Sequence, residues 1–251
     1  MKGRSAPTLR QLLALTLLVA GLCGTVVARA SQDGKDAKDE EFFDYDEKEA
    51  PAVTIADPLE SFNRASFAFN DGLYRIVLKP VARGLRILPE PVRTCFSNFF
   101  SNLNAPISAI SALLSGEPVN AASELGRFLL NTTVGLFGFL DPATEVGLVK
   151  DDEDLGQTMA SYGIGHGFYL VVPFYGSSSL RDFTGSLATN ALNPVFDHLH
   201  TGEVIAVTAA STEVTISLDK DTYEAFYASA IDPYLFFRSA WVQNREGKIN
   251  Q

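Results

Sequence analysis

The sequence predicts a mainly α-helical protein, with a single domain of short amphipathic helices. Apolar residues recur at three- and four-residue spacing in several segments, and prolines separate those segments from one another. Stretches that alternate like β-strands are few, which argues against a sandwich or a barrel. The folded part is long enough to bury one hydrophobic core.

Residues 1–30 have the pattern of a secretory signal peptide. A basic start is followed by an apolar run from Leu12 to Val27, and small residues end the segment at Ala30. An uncleaved membrane anchor and a lipoprotein signal using Cys23 are the alternatives. A lipid-modified cysteine needs a small residue before it, and Leu22 stands there. We therefore expect export, cleavage after Ala30, and no lipid at Cys23.

The rest of the chain divides by composition into three parts. Residues 31–56 form a charged, acidic leader that is too poor in aliphatic side chains to pack. Residues 57–245 carry the helical patterns, and 246–251 are expected to be a tail. The formal net charge of −10 excludes a nucleic-acid partner and a polybasic lipid-surface anchor.

The first helix is predicted to begin at Asp57 and to end near Lys79-Pro80. Asp57 is a capping acid, Pro58 suits the first helical position, and Glu60 follows three residues after the cap. One apolar stripe then follows at helical spacing: Leu59, Phe62, Ser66, Phe69, Leu73 and Ile76.

Two further helices follow from the same spacing. The first has Ala121, Leu125, Phe128, Leu129 and Thr132 on one side, and Glu124, Arg127 and Asn131 on the other. The second has Leu180, Phe183, Leu187 and Ala191, after a serine cap at 177–179. Seven prolines are expected to break the chain into short helices: Pro89, Pro91, Pro106, Pro118, Pro142, Pro194 and Pro233.

Two segments are open to more than one interpretation. Residues Glu203 to Lys220 fit a strand or a helix, and Phe168 to Phe174 allow one hairpin. The longest apolar run after the signal, Phe128 to Leu140, is interrupted by polar residues, so no single helix is expected to cross a bilayer.

The stretch from Tyr162 to Asp182 is apolar, irregular and rich in glycine. Pro173 forbids a regular helix through its centre. Such a segment needs surroundings that satisfy its backbone and hide its side chains, either a protein core or a lipid-lined cavity. Aromatic stripes elsewhere leave the same choice between a core and contact with a membrane.

Candidate catalytic and metal-binding residues are few. His198 and His200 lie close to Asp197 as a possible metal pair, although a solvated loop is the favoured interpretation. His166 could act as an acid or base, but no nucleophile is evident for it. The acids at 151–154 could bind calcium loosely, and a charged turn before a helix is favoured. We expect no enzyme, cofactor or metal site.

Four ordered motifs resemble the MlaA/VacJ family of outer-membrane proteins, over roughly Asp57 to Phe196. The motifs are Asp57-Pro58-Leu59-Glu60-x-Phe62-Asn63-Arg64 with Phe67-x-Phe69-Asn70; Arg127-Phe128-x-x-Asn131-Thr132-x-x-Gly135-x-x-Gly138-x-x-Asp141; Glu153-Asp154-x-Gly156-Gln157-Thr158; and Tyr162-Gly163-x-Gly165 leading into Leu170 to Asp182.

The resemblance implies a ring of helices in the plane of the membrane, around a central amphipathic pore. Members of the family lie in the periplasmic-facing leaflet of the outer membrane and remove phospholipids that have strayed into the outer leaflet. A periplasmic lipid carrier, MlaC in that system, receives the lipid, and trimeric porins are partners. Passage down a gradient needs no catalytic group.

Site residues follow from the same resemblance. For the lipid path it implies Phe67, Phe69, Asn70, Tyr162, Gly163, Gly165, Pro173 and Tyr175, and for a hinge near the pore mouth Gly135 and Gly138. The chain departs from the family at Cys23, at Phe168 where proline is common, and at Leu155 where an aromatic residue is common. Two other functions stay open: a porin-docking protein that moves no lipid, and a lipid hydrolase that uses His166 and a nearby serine.

Overall fold

The computed structural model describes residues 54–250, and the described chain is mainly helical, as predicted. In chain order the elements are α1 (Glu60–Leu73), a π-helical turn (Tyr74–Leu78), α2 (Lys79–Leu85), α3 (Glu90–Ser115), α4 (Pro118–Thr133), α5 (Pro142–Glu145), α6 (Leu155–Ser161), β1 (Tyr169–Val172), β2 (Gly176–Ser179), α7 (Leu180–Leu192), α8 (Thr201–Leu218), α9 (Thr222–Ser229) and α10 (Pro233–Ile249).

The predicted signal segment 1–30, with Cys23, and residues 31–53 of the predicted leader lie outside the described residues. Two boundaries differ from those expected. Ala56 already forms a parallel bridge with Phe168, so the folded chain begins before residue 57. The last helix continues to Ile249, past the boundary predicted at 245, because its far end packs against α6.

The predicted cap of the first helix is wrong. Helix α1 begins at Glu60, and Leu59 stands at its N-cap position without a side-chain cap. The Asp57 carboxylate instead accepts hydrogen bonds from Asn63 Nδ2 at 2.7 Å, from Arg238 at 2.9 Å and from the Tyr234 hydroxyl. Although burial opposes ionisation, these bonds lower the pKa of Asp57, so the charged carboxylate ties α10 to the start of α1.

Pro106 does not end a helix, contrary to the prediction. It lies inside α3, which is 26 residues long and packs against α4 and α8. A proline inside a helix removes one backbone hydrogen bond, and the packing on both sides keeps this helix continuous. Gly116, with φ of +86°, ends α3 instead.

One antiparallel hairpin is present, as the sequence allowed, with Tyr169 opposite Ser179 and Val172 opposite Gly176. Two asparagines of α1 hold its first strand. Asn63 donates to the Tyr169 carbonyl at 3.0 Å and accepts from Val171 N at 2.8 Å. Two helical turns later, Asn70 donates to the Val172 carbonyl at 3.0 Å.

The small apolar core lies beside this hairpin. Tyr169, Val171 and Tyr234 are its buried members, and Phe67 and Trp241 pack against it. In the segment 203–220, open between strand and helix, residues 203–218 belong to α8.

Several helices turn their polar faces inward and their apolar faces outward. In α4, Glu124, Arg127 and Asn131 are buried, whereas Leu125 and Leu129 are 50% and 55% exposed. Helix α7 likewise buries Arg181 and Asp182 and exposes Leu180 and Leu187, and α1 buries Asn63 and Ser66 while Phe62 and Phe69 stay exposed. A surface of this kind is typical of a protein that contacts something apolar.

Within residues 54–250, no helix combines the length and hydropathy needed to cross a bilayer.

Candidate functional site

The buried polar face of α4 holds the segment that follows it. The Arg127 guanidinium donates to both oxygens of Asp141, at 3.0 and 2.8 Å, and to the Leu148 carbonyl at 2.6 Å. Asn131 donates to Asp141 at 2.9 Å and accepts from Ala143 N at 3.1 Å. The chain from 134 to 151 is therefore fastened to α4 by side chains of α4 itself.

Two carboxyl groups at this face differ in their ionisation. Burial opposes the charge on Asp141, but hydrogen bonds from Thr144, Asn131 and Arg127 outweigh it and lower its pKa. Glu124 is 2% exposed and accepts from Asp151 N at 2.6 Å. Burial is the main cause that raises the pKa of Glu124.

A tight hairpin-like turn follows α4 and contains both glycines of the predicted hinge. Leu136, Phe137 and Gly138 have φ values of 55°, 61° and 91°. A Cβ atom at Gly135 would lie 2.5 Å from the carbonyl oxygens of Asn131 and Leu140. A Cβ atom at Gly138 would lie 2.6 Å from the side chain of Asn102. Both positions require glycine on grounds of space, and Gly138 also on grounds of backbone conformation.

Residues on both sides of the turn, Val134 and Phe139, line a cavity of about 780 Å³. Apolar side chains line most of it, among them Pro91, Val134, Phe139 and Leu140. Asn98 and the carboxyl groups of Glu90, Asp141 and Glu145 add polar atoms. Phe139 is fixed in place by Phe99, whose ring centroid is 4.8 Å away.

Two smaller, more polar cavities are linked to the large cavity in series by shared lining residues. The second, of about 90 Å³, shares Asn98 and Asp141 with the first and is also lined by Asn102 and Arg127. The third, of about 240 Å³, shares Lys150 with the second. We call this series of three cavities beside α3 and α4 the track. One end of it is mainly apolar, and the other is mainly polar and charged.

Three carboxylates meet in the third cavity. Ligand oxygens of Glu117, Asp151 and Glu153 lie within 4.8 Å of one another. Burial first, and then the charges of Glu117 and Asp151, raise the pKa of Glu153 to about 7. The polar end of the track therefore contains a group that titrates near neutral pH.

The residues predicted for the lipid path lie in three other places. Phe67 and Asn70 line a separate cavity of about 210 Å³ beside β1 and α10. Phe69 is exposed and meets Phe174 at a centroid distance of 5.0 Å. The structure does not bring these residues to the track.

Pro173 and Tyr175 lie at the tip of the β-hairpin, where the Tyr175 hydroxyl is 2.5 Å from Ser186 Oγ. Tyr162, Gly163 and Gly165 follow α6, and the Tyr162 hydroxyl donates to the Leu114 carbonyl at 2.8 Å. The irregular segment 162–182 thus contributes a turn, a hairpin and the start of α7 to the fold.

His166 takes part in a partly buried charge network. Its Nε2 is 2.6 Å from Glu246 and its Nδ1 is 2.9 Å from Arg181. Arg245 donates to Asp154 at 2.6 Å and to Asp182 at 2.9 Å in the same network, which joins α6, α7 and α10.

The nearby serines contact other groups, so the described residues do not pair His166 with a nucleophile. Ser179 caps α7, as predicted, by accepting from Asp182 N, and Ser177 accepts from Tyr169. Asp154 caps α6 in the same way, which confirms the charged turn before a helix.

His198 and His200 do not belong to a group of three or more ligands with metal spacing among the described residues. His200 is the N-cap residue of α8, where its backbone N–H donates to Glu203 at 2.8 Å. The three carboxylates of the third cavity are the one group with ligand spacing among the described residues.

Sequence reasoning missed most of the track. Asn98, Asn102 and Lys150 lie in segments whose patterns give no signal of their own. Arg127 and Asn131 do give one, because polar residues three and four apart recur along one face of an otherwise apolar helix. The spacing predicts that face but not its burial.

Comparison with known proteins identifies the family. The family model described as MlaA lipoprotein matches residues 55–248. The "Intermembrane phospholipid transport system lipoprotein MlaA" of Escherichia coli is 34% identical over 201 residues, which cover 76% of this chain and 77% of that protein.

An uncharacterized protein of Rickettsia conorii is 36% identical over 217 residues, 84% of this chain and 86% of that protein. A solved structure described as "Structural basis for maintenance of bacterial outer membrane lipid asymmetry" matches with a TM-score of 0.66 and 33% identity, over 77% of this chain and 99% of that one. The chain therefore belongs to the MlaA lipoprotein family.

Proposed function

We propose that this protein carries phospholipids through the track, from the apolar cavity beside the turn to the charged cavity that contains Lys150. The observation that carries the proposal is the change in lining along the track. Acyl chains favour the wall of Phe139 and Leu140, and a charged headgroup favours Asn98 and Arg127. Such passage follows the lipid gradient and uses no catalytic side chain.

The membrane geometry is part of the proposal. Exposed side chains such as Leu125, Leu129 and Phe137 would lie among acyl chains, with the helices in the plane of the membrane. By family membership, we propose that the lipid leaves the outer leaflet of the outer membrane and passes to a periplasmic carrier of the MlaC kind, next to a trimeric porin.

The hinge at Gly135 and Gly138 would adjust the width of the apolar mouth of the track. The lipid-path roles of Phe67, Phe69, Asn70, Tyr162, Gly163, Gly165, Pro173 and Tyr175 stay predictions.

The direct test of this route is a substitution that blocks the junction between the first two cavities. Asn98→Trp places a large side chain where these cavities share their lining. Leu113→Trp is the matched control, since Leu113 is an exposed residue of the same helix and lies outside the track. Each variant is reconstituted in vesicles containing labelled phospholipid, and transfer to a soluble lipid carrier is measured.

We expect Asn98→Trp to slow transfer by about tenfold or more, and Leu113→Trp to transfer like the wild type. Wild-type transfer by Asn98→Trp, with an unchanged melting temperature, would exclude the track as the route. If the wild type itself transferred no lipid but bound a porin, the docking function would replace this proposal.

The predicted export and processing need a separate measurement. Intact mass of the protein extracted from membranes is expected to correspond to a chain starting at Ser31. Because the family is described as lipoproteins, a mass corresponding to a lipid-modified Cys23 is the outcome that would contradict the prediction.

A further inference from the structure

The cavity that Phe67 and Asn70 line, outside the track, has an aromatic wall. It has a volume of about 210 Å³, and the rings of Phe67, Tyr74, Tyr223 and Phe237 line it together with Asp71. Its volume is about seven times the ~30 Å³ that one water molecule occupies in the liquid. The cavity is therefore large enough for a compact organic group.

The rings come from four elements and form one connected cluster. The centroid of Tyr223 lies 4.5 Å from that of Tyr74 and 4.9 Å from that of Phe237. Phe67 is 5.9 Å from Phe237 on the other side. Aromatic faces carry negative partial charge, so a wall of several rings attracts a cation.

Hydrogen bonds within the protein engage the polar side chains around the cavity. The Asp71 carboxylate accepts from Arg75 Nε at 2.8 Å and from the Tyr223 hydroxyl at 3.0 Å. Both the amide oxygen and the amide nitrogen of Asn70 are bonded to the β-hairpin. A primary ammonium has three N–H groups and would find few free acceptors here. A quaternary ammonium has no N–H group and needs none.

Two rings next to this cluster, outside the cavity lining, already bind cations of the protein itself. The guanidinium carbon of Arg75 lies 4.4 Å from the ring centroid of Tyr227, and that of Arg64 lies 4.4 Å from the centroid of Tyr234. Tyr227 and Tyr234 both contact Phe67. The carboxylates of Asp71 and Glu224 accept hydrogen bonds from the hydroxyls of Tyr223 and Tyr74, and they are already paired with Arg75 and Lys79. The attraction for a cation therefore comes from the rings.

We propose that this cavity binds a quaternary ammonium group, the trimethylammonium of a choline-type lipid headgroup. The lipid source is favoured by the exposed apolar side chains next to the cavity, Ile76 and Val77 after Tyr74 and Phe174 at the hairpin tip. The site would thus hold one class of phospholipid at the protein surface, apart from the track.

The test compares two soluble headgroups on the full chain in a maltoside detergent. Isothermal titration calorimetry measures the binding of phosphocholine and of phosphoethanolamine. We expect saturable binding of phosphocholine, at least about tenfold tighter than that of phosphoethanolamine. Tetramethylammonium should compete with phosphocholine, and this arm needs no variant. Equal affinities for the two headgroups, or displacement by a longer-chain maltoside instead of by tetramethylammonium, would overturn the proposal.

Variants locate the site. Tyr223→Leu and Phe237→Leu should each weaken phosphocholine binding by about tenfold, and Tyr223→Phe, which keeps the ring, should weaken it less. Phe226→Leu is the matched control on α9, because Phe226 is exposed and does not line the cavity. Unchanged binding in folded Tyr223→Leu and Phe237→Leu would contradict the assignment.

Two further arms separate the sources and the functions. Nanodiscs that contain phosphatidylcholine should displace phosphocholine, and failure to do so while free choline displaces it would overturn the lipid source. Tyr223→Leu should leave the transfer of ethanolamine phospholipid unchanged, and Asn98→Trp should leave phosphocholine binding unchanged. The lipid-transfer proposal and the headgroup-binding proposal can therefore fail independently, and the two measurements show which of them has failed.

Discussion

At the scale of single residues, space and charge decide what can be substituted. Gly135 stands where the end of α4 and the following turn come together, and backbone oxygens of Asn131 and Leu140 occupy the space that a side chain would need. Backbone atoms cannot rotate away as the end of a long side chain can. Packing thus gives Gly135 a role in addition to the hinge predicted from the sequence.

Gly135→Ala should therefore lower the free energy of unfolding, by about 1–3 kcal/mol, the usual range for overpacking. Thermal unfolding in detergent measures the change. Gly84→Ala is the control, because no atom lies within 4 Å of a Cβ atom at that helical position. An alanine variant at 135 that melts like the wild type but transfers lipid slowly would instead assign the glycine to the hinge alone.

Glu153 gives the polar end of the track a pH dependence of known sign. Its pKa is raised from the ordinary value of 4.5 to about 7, so the folded state holds its proton more tightly than the unfolded state. The resulting stabilisation is fully present below pH 4.5 and is lost as the pH rises to about 7. Burial and the neighbouring acids then oppose the charged form.

Glu153→Gln should remove this dependence. We expect its melting temperature to exceed that of the wild type at pH 8 and the difference to shrink toward pH 4.5. Melting curves at four or five pH values measure this, with Glu145→Gln, an exposed position outside the cluster, as the control. A difference that stays constant across the range would show that the carboxylate does not titrate near pH 7.

At the scale of elements, side-chain amides connect segments that the backbone alone would leave apart. Asn63 and Asn70 lie seven residues apart on one face of α1, and the two strand residues they bind, Tyr169 and Val172, belong to a short hairpin. A two-stranded hairpin is marginal alone in water, so it depends on contacts of this kind.

Asn63→Ala should destabilise the fold by about 2 kcal/mol or more, because it leaves the Tyr169 carbonyl and Val171 N–H buried without their partner. Asn244→Ala on α10 is the control, since Asn244 is exposed, and alanine is a better helix former there. Chemical denaturation measures both. Equal midpoints for the two variants would mean that the hairpin is held by its apolar contacts.

At the scale of the whole molecule, several helices bury a polar face and expose an apolar one. Burying charged groups is costly unless they are paired, and here Arg127 is paired with Asp141, and Arg245 with Asp154 and Asp182. The apolar faces that such helices expose favour contact with an apolar surrounding.

Leu129→Glu should therefore weaken binding to membranes, since it places a charge on the outward face of α4. Flotation with lipid vesicles measures the bound fraction, and we expect a fall of several-fold. Leu129→Met keeps the face apolar and should float like the wild type. If Leu129→Glu floated equally well with an unchanged circular dichroism spectrum, this face would lie away from the lipid.

Local patterns in the sequence predict much of the fold. Apolar spacing predicts the helix of α4, the serines predict the start of α7, and composition allows the hairpin at 169–179. The ordered motifs identify the family, because they bring together residue types that local periodicity alone does not require. These features depend on residues near one another in the chain, so one sequence is enough to find them.

Long-range packing determines which faces are buried and where the cavities lie. Amphipathic spacing marks two faces of a helix but does not say which of them faces the interior; in α4 it is the face of Arg127, because Asp141 returns to pair with it. The Asp57 carboxylate binds Tyr234, 177 residues away along the chain, instead of capping α1. Asn98 and Lys150 line the same cavity of the track because tertiary contacts bring them together. No local pattern in the sequence predicts that proximity.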